Sequence, residues 1–514
     1  MRVLKKVVFI LICIVSFLLI LNFGLSYWVT KKLPSVIESQ KNITYNISYN
    51  DIDIQLVSGN FTVHNVYFAP KGTTKATMNS GAFCKIEKID VEHFNLWALL
   101  WDDRIEVESI IIDTPEIVLY KNKKQRSEQD NFIAQFENTI VTEKIKLKQG
   151  RFRMVDSLEN ILAKANNINF EVNNTRLDST SASRKIPISY GNYSISCDSV
   201  FYKVSPHYAV SATNINNNKN SFSVSNFKLI PQQNRKQFNK MIPAERDQFT
   251  LTAKKIKIPK NNWGYTNDTL FVHVPKISIA GMDATIYRGK MVKDNLKTKK
   301  LYSEMLRELD FDLKVDTLLL KKTRLAYEEQ LSYNKAPGKV LFSDFDAAIY
   351  NIYSPVGKNE IPDTKIDVQC LFMDDAPLHV NWVFNTLNAS DAFTIQGKLQ
   401  NLNLKNINSI SKSLMNTRVS GNIKALDFTI NGNKQKATGR FAINYNNLQL
   451  DVLQENSADK NEFLSFVGNL VVKEDSNSNT TATDVTVERA NNKSVFNFLW
   501  LFLKQGLKNT MLPL

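Results

Sequence analysis

A chain of 514 residues has room for two to four ordinary domains or one long repetitive one, and 43% hydrophobic with 22% charged content excludes wholesale disorder. The net charge of +15 is dispersed. Lys144, Lys146 and Lys148 alternate with apolar residues as on a solvated strand face, with weak attraction to anionic lipid or polysaccharide as the next reading. Nucleic acid is not an expected partner, because the start of the chain argues for a membrane.

That start, MRVLKKVVFILICIVSFLLILNFGLSYWVTKKLP, holds an uncharged run of 23 residues from Val7 to Val29. At 1.5 Å per residue such a helix crosses a hydrocarbon core of about 30 Å. Arg2, Lys5 and Lys6 precede it, and Tyr27 and Trp28 sit at the level of an interfacial belt. Lys31 and Lys32 follow it and weaken the positive-inside signal. The expectation is an uncleaved anchor over residues 1–33, with the bulk of the chain on the far side of the membrane. A cleaved signal peptide competes, but the run is long for one and lacks a small-x-small cleavage site.

After Pro34 the pattern is strand almost throughout. In DIDIQLVSGNFTVHNVYF, Ile52, Ile54 and Leu56 share a face, Ser58-Gly59 turns, and Phe61 and Val63 resume, which predicts a hairpin. Short strands follow, with a short apolar turn or helix expected at NLWALLWDD (95–103) and at PQQNRKQFNKMI (231–242), and the clearest helix at KTKKLYSEMLRELD (297–310). In the last of these Leu301, Met305, Leu306 and Leu309 form a helical stripe.

A repeat runs through these strands. VESIIIDTPEIVLYKNK aligns without a gap on VPKISIAGMDATIYRGK: Val107, Ile110, Ile112, Leu119, Tyr120 and Lys121 fall on Val274, Ile277, Ile279, Ile286, Tyr287 and Arg288. A third copy places Leu318, Leu320 and Tyr327 in the same positions, and a fourth Ile145, Leu147 and Met154. Each carries a one-residue phase slip, at Glu108-Ser109 in the first, which reads as a bulge or bend.

The last third stays β-rich, with Gly397, Gly421 and Gly439 expected at bends and residues 473–484 as a polar loop. From Ser494, a candidate N-cap, an apolar helix too short to span a bilayer is expected. It either plugs the sheet end, lies in a membrane interface through Phe496, Phe498, Trp500 and Phe502, or forms an oligomer contact. The expected segments are 1–33, 34–230, 231–312, 313–490 and 491–514.

No catalytic pattern emerges. His64, His93, His207, His273 and His379 have no second ligand at metal spacing in the sequence, and Asp102-Asp103 and Asp374-Asp375 read as turn formers. Glycine loops of the nucleotide-binding kinds and a nucleophile elbow are missing. Cys84, Cys197 and Cys370 are too few and too scattered for a disulfide framework or a zinc site. The Asn-x-Ser/Thr matches at Asn42, Asn46, Asn60, Asn192 and Asn388 follow from an asparagine-rich composition. Neither an enzyme nor a cofactor or metal is expected.

With the anchor, ISYNDIDIQLVSGNFTVHNVYF, HFNLWALLWDDRIEVESIIIDTPEIVLYK and the terminal ATGRFAINYNNLQLDVL and RANNKSVFNFLWLFLKQGLK, the chain resembles the AsmA-like proteins of Gram-negative envelopes, most of all shorter Bacteroidota-type members. The resemblance implies a single-pass inner-membrane protein with its bulk in the periplasm. It also implies a mainly β fold, a long curved taco-like groove with few short helices, which moves phospholipid or other acyl-chain lipid in support of the outer membrane. An outer-membrane or envelope protein at the C-terminal end is a further expected partner. Val107, Ile110, Ile112, Leu119, Ile145, Leu147, Val274, Ile277, Ile279, Ile286, Leu318 and Leu320 are the candidate groove residues. A scaffold using open sheet edges, or a β-sandwich adhesin or carbohydrate-active protein, fits the same alternation.

Overall fold

The computed structural model describes residues 45–55, 58–71, 81–95, 104–121, 139–182, 184–186, 188–453, 475–476 and 479–511, with 97, 98 and 102. The expected anchor, including Tyr27 and Trp28, and most of 95–103 lie outside them. No helix among the described residues is long and apolar enough to cross a membrane. The fold is mainly β, a mixed parallel and antiparallel sheet with few short helices. Two compact units divide the chain: one runs to Val204 and takes in Val210–Val224, the other holds Ser205–Ala209 and Ser225–Leu514. The expected segments 231–312, 313–490 and 491–514 thus all fall in the second unit.

In the first unit, β1 (Tyr45–Ser48) and β2 (Asp51–Gln55) both lie antiparallel to β3 (Asn60–Pro70). The expected hairpin is β2 and β3, with Ile52 opposite Val63, Ile54 opposite Phe61, and Gly59 in the turn at φ +68°. β3 pairs with β4 (Gly81–Phe94), which pairs in turn with the consecutive strands β5 (Arg104–Asp113) and β6 (Glu116–Tyr120). Both of these run parallel to β7 (Thr139–Val155); β8 (Ile161–Leu177) and β9 (Tyr193–Lys203) follow antiparallel. Next in the chain come β10 (Tyr208–Asn218) and β11 (Ser221–Pro231).

In the second unit, β12 (Gln248–Pro259) and β13 (Asn262–Thr266) pair with the long β14 (Thr269–Gly289), which lies parallel to β15 (Asp312–Gln330). From β15 onward each strand is antiparallel to the next: β16 (Gly338–Tyr353), β17 (Thr364–Phe372), β18 (Ala376–Phe384), β19 (Phe393–Asn403), β20 (Thr417–Gly432), β21 (Lys436–Val452) and β22 (Thr481–Glu488). β22 takes the end of the stretch expected as a polar loop.

Helices form at Arg235–Met241, Tyr302–Arg307, Asn408–Met415 and Val495–Met511. The first starts on a capping box, with Asn234 accepting from the Gln237 N–H and the Gln237 side chain returning to the Asn234 N–H. In the second the expected stripe is wrong in part. Leu301 is buried and Leu306 packs on the core, but Met305 is 51% exposed, because the side chain turned inward is Ser303, bonded to buried Asp391 at 2.8 Å.

The sequence copies have two structural meanings. Copies at Val107 and Thr142 are adjacent parallel strands, with Ile110 beside Ile145, Ile112 beside Leu147 and Leu119 beside Met154. Copies at Val274 and Val315 are again parallel neighbours, pairing Ile277 with Leu318 and Ile279 with Leu320. Copies at Val107 and Val274 hold the same place in similar strand arrangements of the two units. Ile112 faces Ile89 and Leu119 faces Ala82 across one antiparallel pairing, and Ile279 faces Ile256 and Ile286 faces Phe249 across the other, each in one continuous register.

The likeness extends to irregularities. Thr114, Gln149 and Asn167 adopt positive φ (50°, 53°, 50°) on β5–β6, β7 and β8; Gly281, Lys322 and Asp344 do so (61°, 52°, 43°) at the matching places on β14, β15 and β16. A left-handed residue at one level in three adjacent strands creases the sheet and resets the alternation, so apolar side chains before and after it face the same way. The Gln149 N–H donates to Asn169 Oδ1 at 3.2 Å, and the matching Lys322 N–H donates to Asp346 Oδ1 at 2.8 Å. Arg151 pairs with Glu116 at 2.8 Å, as Arg324 pairs with Asp283 at 3.6 Å. The expected slip at Glu108 sits on a second crease, between left-handed His93 (φ 51°) and Asn174 (φ 53°), matched by Lys260 (56°) and Asn351 (59°).

The Asp346 carboxyl feels burial pushing its pKa up, but the Lys321 ammonium and the Lys322 N–H outweigh this and hold it below the ordinary value. Its contribution to stability is therefore present above the unfolded carboxylate range, near pH ~4, and is lost as pH falls through the lower folded value. Asp346→Asn keeps an acceptor for the Lys322 N–H, as Asn169 does in the first unit. We expect it to lose that acid dependence and less than about 1 kcal/mol at neutral pH. Asp346→Ala leaves the N–H without its cap and is expected to cost about 1–2 kcal/mol in urea titrations.

Gly421 (φ +109°) lies at a register break between β20 and β21, as expected of a bend. Gly397 and Gly439 correct that expectation. They make close approaches, where a Cβ would meet the Phe428 ring at 2.1 Å and the Thr429 carbonyl at 1.9 Å. Cys84, Cys197 and Cys370 are buried free thiols, and burial pushes Cys84 up to about 12. Its alkylation at pH 8 is expected only at the rate of unfolding, which mass spectrometry of time-quenched samples would read.

Candidate apolar binding face

The candidate residues divide sharply by unit. Val107, Ile110, Ile112, Leu119 and Ile145 are buried, Ile110 and Ile112 at 1% exposure, and the first four join Phe61, Val63, Ile86, Ile89 and Val91 in one packed cluster. Leu147 is half-buried. In the second unit Val274 is buried, but Ile277, Ile279, Ile286, Leu318 and Leu320 are half-buried.

Register joins these half-buried residues into rows. One passes from Ile256 through Ile279, Leu320, Ala347, Val368 and Val380 to Gly397, crossing seven strands. The next passes from Ile277 through Leu318, Ile349, Ile366, Trp382 and Ile395 to Ile430. Cross-strand partners share a face, so the rows form one apolar strip. Its far end is closed, with Trp382, Ile395 and Ile430 in a packed cluster with Phe441, Phe498 and Phe502. Over β12 to β16, Ile256, Ile277, Ile279, Leu318, Leu320 and Ile349 stand outside that cluster and keep part of their surface accessible.

The cover at the closed end is the Val495–Met511 helix, seated on β21 and β22. Ser494 caps it, with Oγ accepting from the Asn497 N–H at 3.4 Å. Of the interface candidates, Phe498 and Phe502 point into the core at 2% and 0% exposure, which corrects their assignment to a membrane surface. Phe496 and Trp500, at 60% and 40%, line the opposite side. Gly506 lets the helix approach: a Cβ there would meet the Phe441 ring at 2.4 Å.

Polar groups flank the strip. At its Ile286 end Arg288 donates Nε and Nη2 to Asp247 at 2.7 and 2.8 Å, and Lys290 reaches buried Glu245 at 2.9 Å. Burial works against the Arg288 charge, but Asp247 more than offsets it and the pKa is raised. Sequence patterning marks Lys121 and Lys123 as a solvated rim, and Arg288 holds the place of Lys121 in the second unit. In the second unit that rim is a partly buried ion cluster, invisible beforehand because Asp247 and Glu245 reach it through β12 pairing.

The first unit carries a polar hollow of about 830 Å³ over its crease, lined by Asn65, Lys88, Asp113, Lys148, Gln149 and Asn169 among others. Asp113 lies 3.7 Å from Lys88 and 3.3 Å from Lys148, so its charges largely neutralise one another. At its margin antiparallel pairing sets Asp51 opposite His64, and one ligand atom each of Asp51, Asp53 and His64 lies within 4.8 Å of the others. The sequence shows no second metal ligand for His64, because these partners arrive across the hairpin; both carboxylates are exposed. His273 and His379 are likewise partnered, with Asp312 at 2.7 Å and Asp367 at 2.9 Å.

No family model matches the chain, and no curated protein matches it.

Proposed function

We propose that the chain is a membrane-anchored periplasmic protein of the AsmA-like kind that binds or conducts phospholipid along the apolar strip of its second unit. The observation that carries this reading is the row Ile256–Ile279–Leu320, joined in register and left partly accessible where the far end of the same strip is packed shut. Each methylene withdrawn from water contributes about 0.8 kcal/mol, so an acyl chain gains most where apolar side chains succeed one another without a break. Repetition of one strand unit supplies such continuity, and partitioning along it needs no covalent step.

The test is photo-crosslinking in cells. Crosslinkers at Ile279 and Leu320 are expected to capture phospholipid, while Lys321, exposed on the other face, gives background only. Ile112, buried in the first unit, is also expected at background. Labelling at Lys321 equal to that at Leu320 would sink the reading, and capture of an envelope protein in place of lipid would favour the scaffold alternative.

A further inference from the structure

We propose that a phosphate-bearing headgroup is held in the cavity at the Arg288 end of the second unit's apolar strip. This rests on the lipid reading above and says where the polar end of the lipid lodges. Residues two apart on a strand share a face, so Ile286 and Arg288 of β14 point to the same side. Phe249 is the cross-strand partner of Ile286 and is 40% exposed. It lines the cavity together with Arg288, so apolar wall and charge meet within one residue pair.

The cavity measures about 130 Å³, several times the ~30 Å³ share of one water molecule. Its charged lining is Arg246, Arg288, Lys299 and Lys493 against Glu245 and Asp247, an excess of cation. Asp247 and Glu245 are engaged with Arg288 and Lys290, and Lys493 meets Asp294 at 2.8 Å. Arg246 and Lys299 have no carboxylate partner among the described residues, so the uncompensated charge is theirs. The Val495–Met511 helix begins on the cavity wall at Ser494, and its positive end adds to the same potential. A phosphate diester is the chemistry that fits: one negative charge with acceptor oxygens, tethered to chains that continue onto Phe249 and Ile286. Free phosphate shares that chemistry, and only the tether distinguishes the two.

The experiment is calorimetric titration of the purified full chain with monomeric dihexanoylphosphatidylglycerol, dihexanoylglycerol and inorganic phosphate, repeated on an Arg246→Gln/Lys299→Gln variant. Both positions lack carboxylate partners, so the variant is expected to fold, and retained diglyceride binding verifies it. The expected result is that the phospholipid binds about tenfold more tightly than the diglyceride, and that the variant loses this margin alone. Equal affinities, unchanged by the substitutions, would overturn the headgroup site while leaving the apolar strip intact. Inorganic phosphate binding as tightly as the phospholipid would overturn the headgroup assignment in favour of a free-phosphate site. If neither lipid binds, the lipid reading itself falls and the headgroup site with it.

Discussion

Ile279→Asp is expected to abolish phospholipid crosslinking at Leu320 and Ile256 while leaving a folded protein. Ile279 stands between those two residues in the row, and a carboxylate there sets a charge and its hydration shell across the path of an acyl chain. Because Ile279 is half-buried, the aspartate reaches water, and the cost to stability is expected to stay near 1–3 kcal/mol. The matching Ile112→Asp, at a position 1% exposed inside the first unit's cluster, is expected to unfold that unit instead. The two variants test what the sequence alignment treats as one position. Undiminished crosslinking in Ile279→Asp would show that lipid does not travel this row.

Phe502→Ala is expected to destabilise the second unit by about 3–5 kcal/mol, because the ring is fully buried among the residues that close the strip. Phe496→Ala, six residues away and 60% exposed, is expected to cost less than about 1 kcal/mol. Urea titration of both variants reads the difference. Equal losses would mean that the helix is not seated through its Phe498–Phe502 side. A membrane role for the helix rests on Phe496 and Trp500, and Phe496→Ala tests it in liposome flotation without the confounding loss of fold.

Much of the fold was legible because alternation is a local property. The β2–β3 hairpin, the phase slip at Glu108 and the helix after Ser494 all depend on residues near one another in the chain. The equivalence of Ile112 and Ile279 was legible for the same reason. Their difference was not: one is buried and the other half-buried because of what packs over each sheet. The creases left a readable signal that composition alone concealed. Ten of the twenty-one described non-glycine residues with positive φ are asparagines, which tolerate the left-handed region better than most side chains. At Asn167, Asn174 and Asn351 an asparagine in the middle of an alternating strand takes that conformation at a crease. The cavity at Arg288 gave no such sign, since its lining comes from residues 245–247, β12, β14, the 292–299 stretch and the turn before the last helix.

The parallel pair β14–β15 has a consequence for how this protein is made. Its crossover, residues 290–311, is fastened late: Arg307 pairs with Asp391 at 2.7 Å, and Asp294 with Lys493, 199 residues further along the chain. At a synthesis rate of about 5–20 residues per second, Asp294 waits roughly 10–40 s for its partner to be made. Through that interval the nascent chain bears the apolar strip of β12 to β16 without the clasp or the Phe498–Phe502 cover. Contacts this distant in sequence also slow folding after release. The ribosome-bound protein is thus expected to need holding factors until the Val495–Met511 helix emerges.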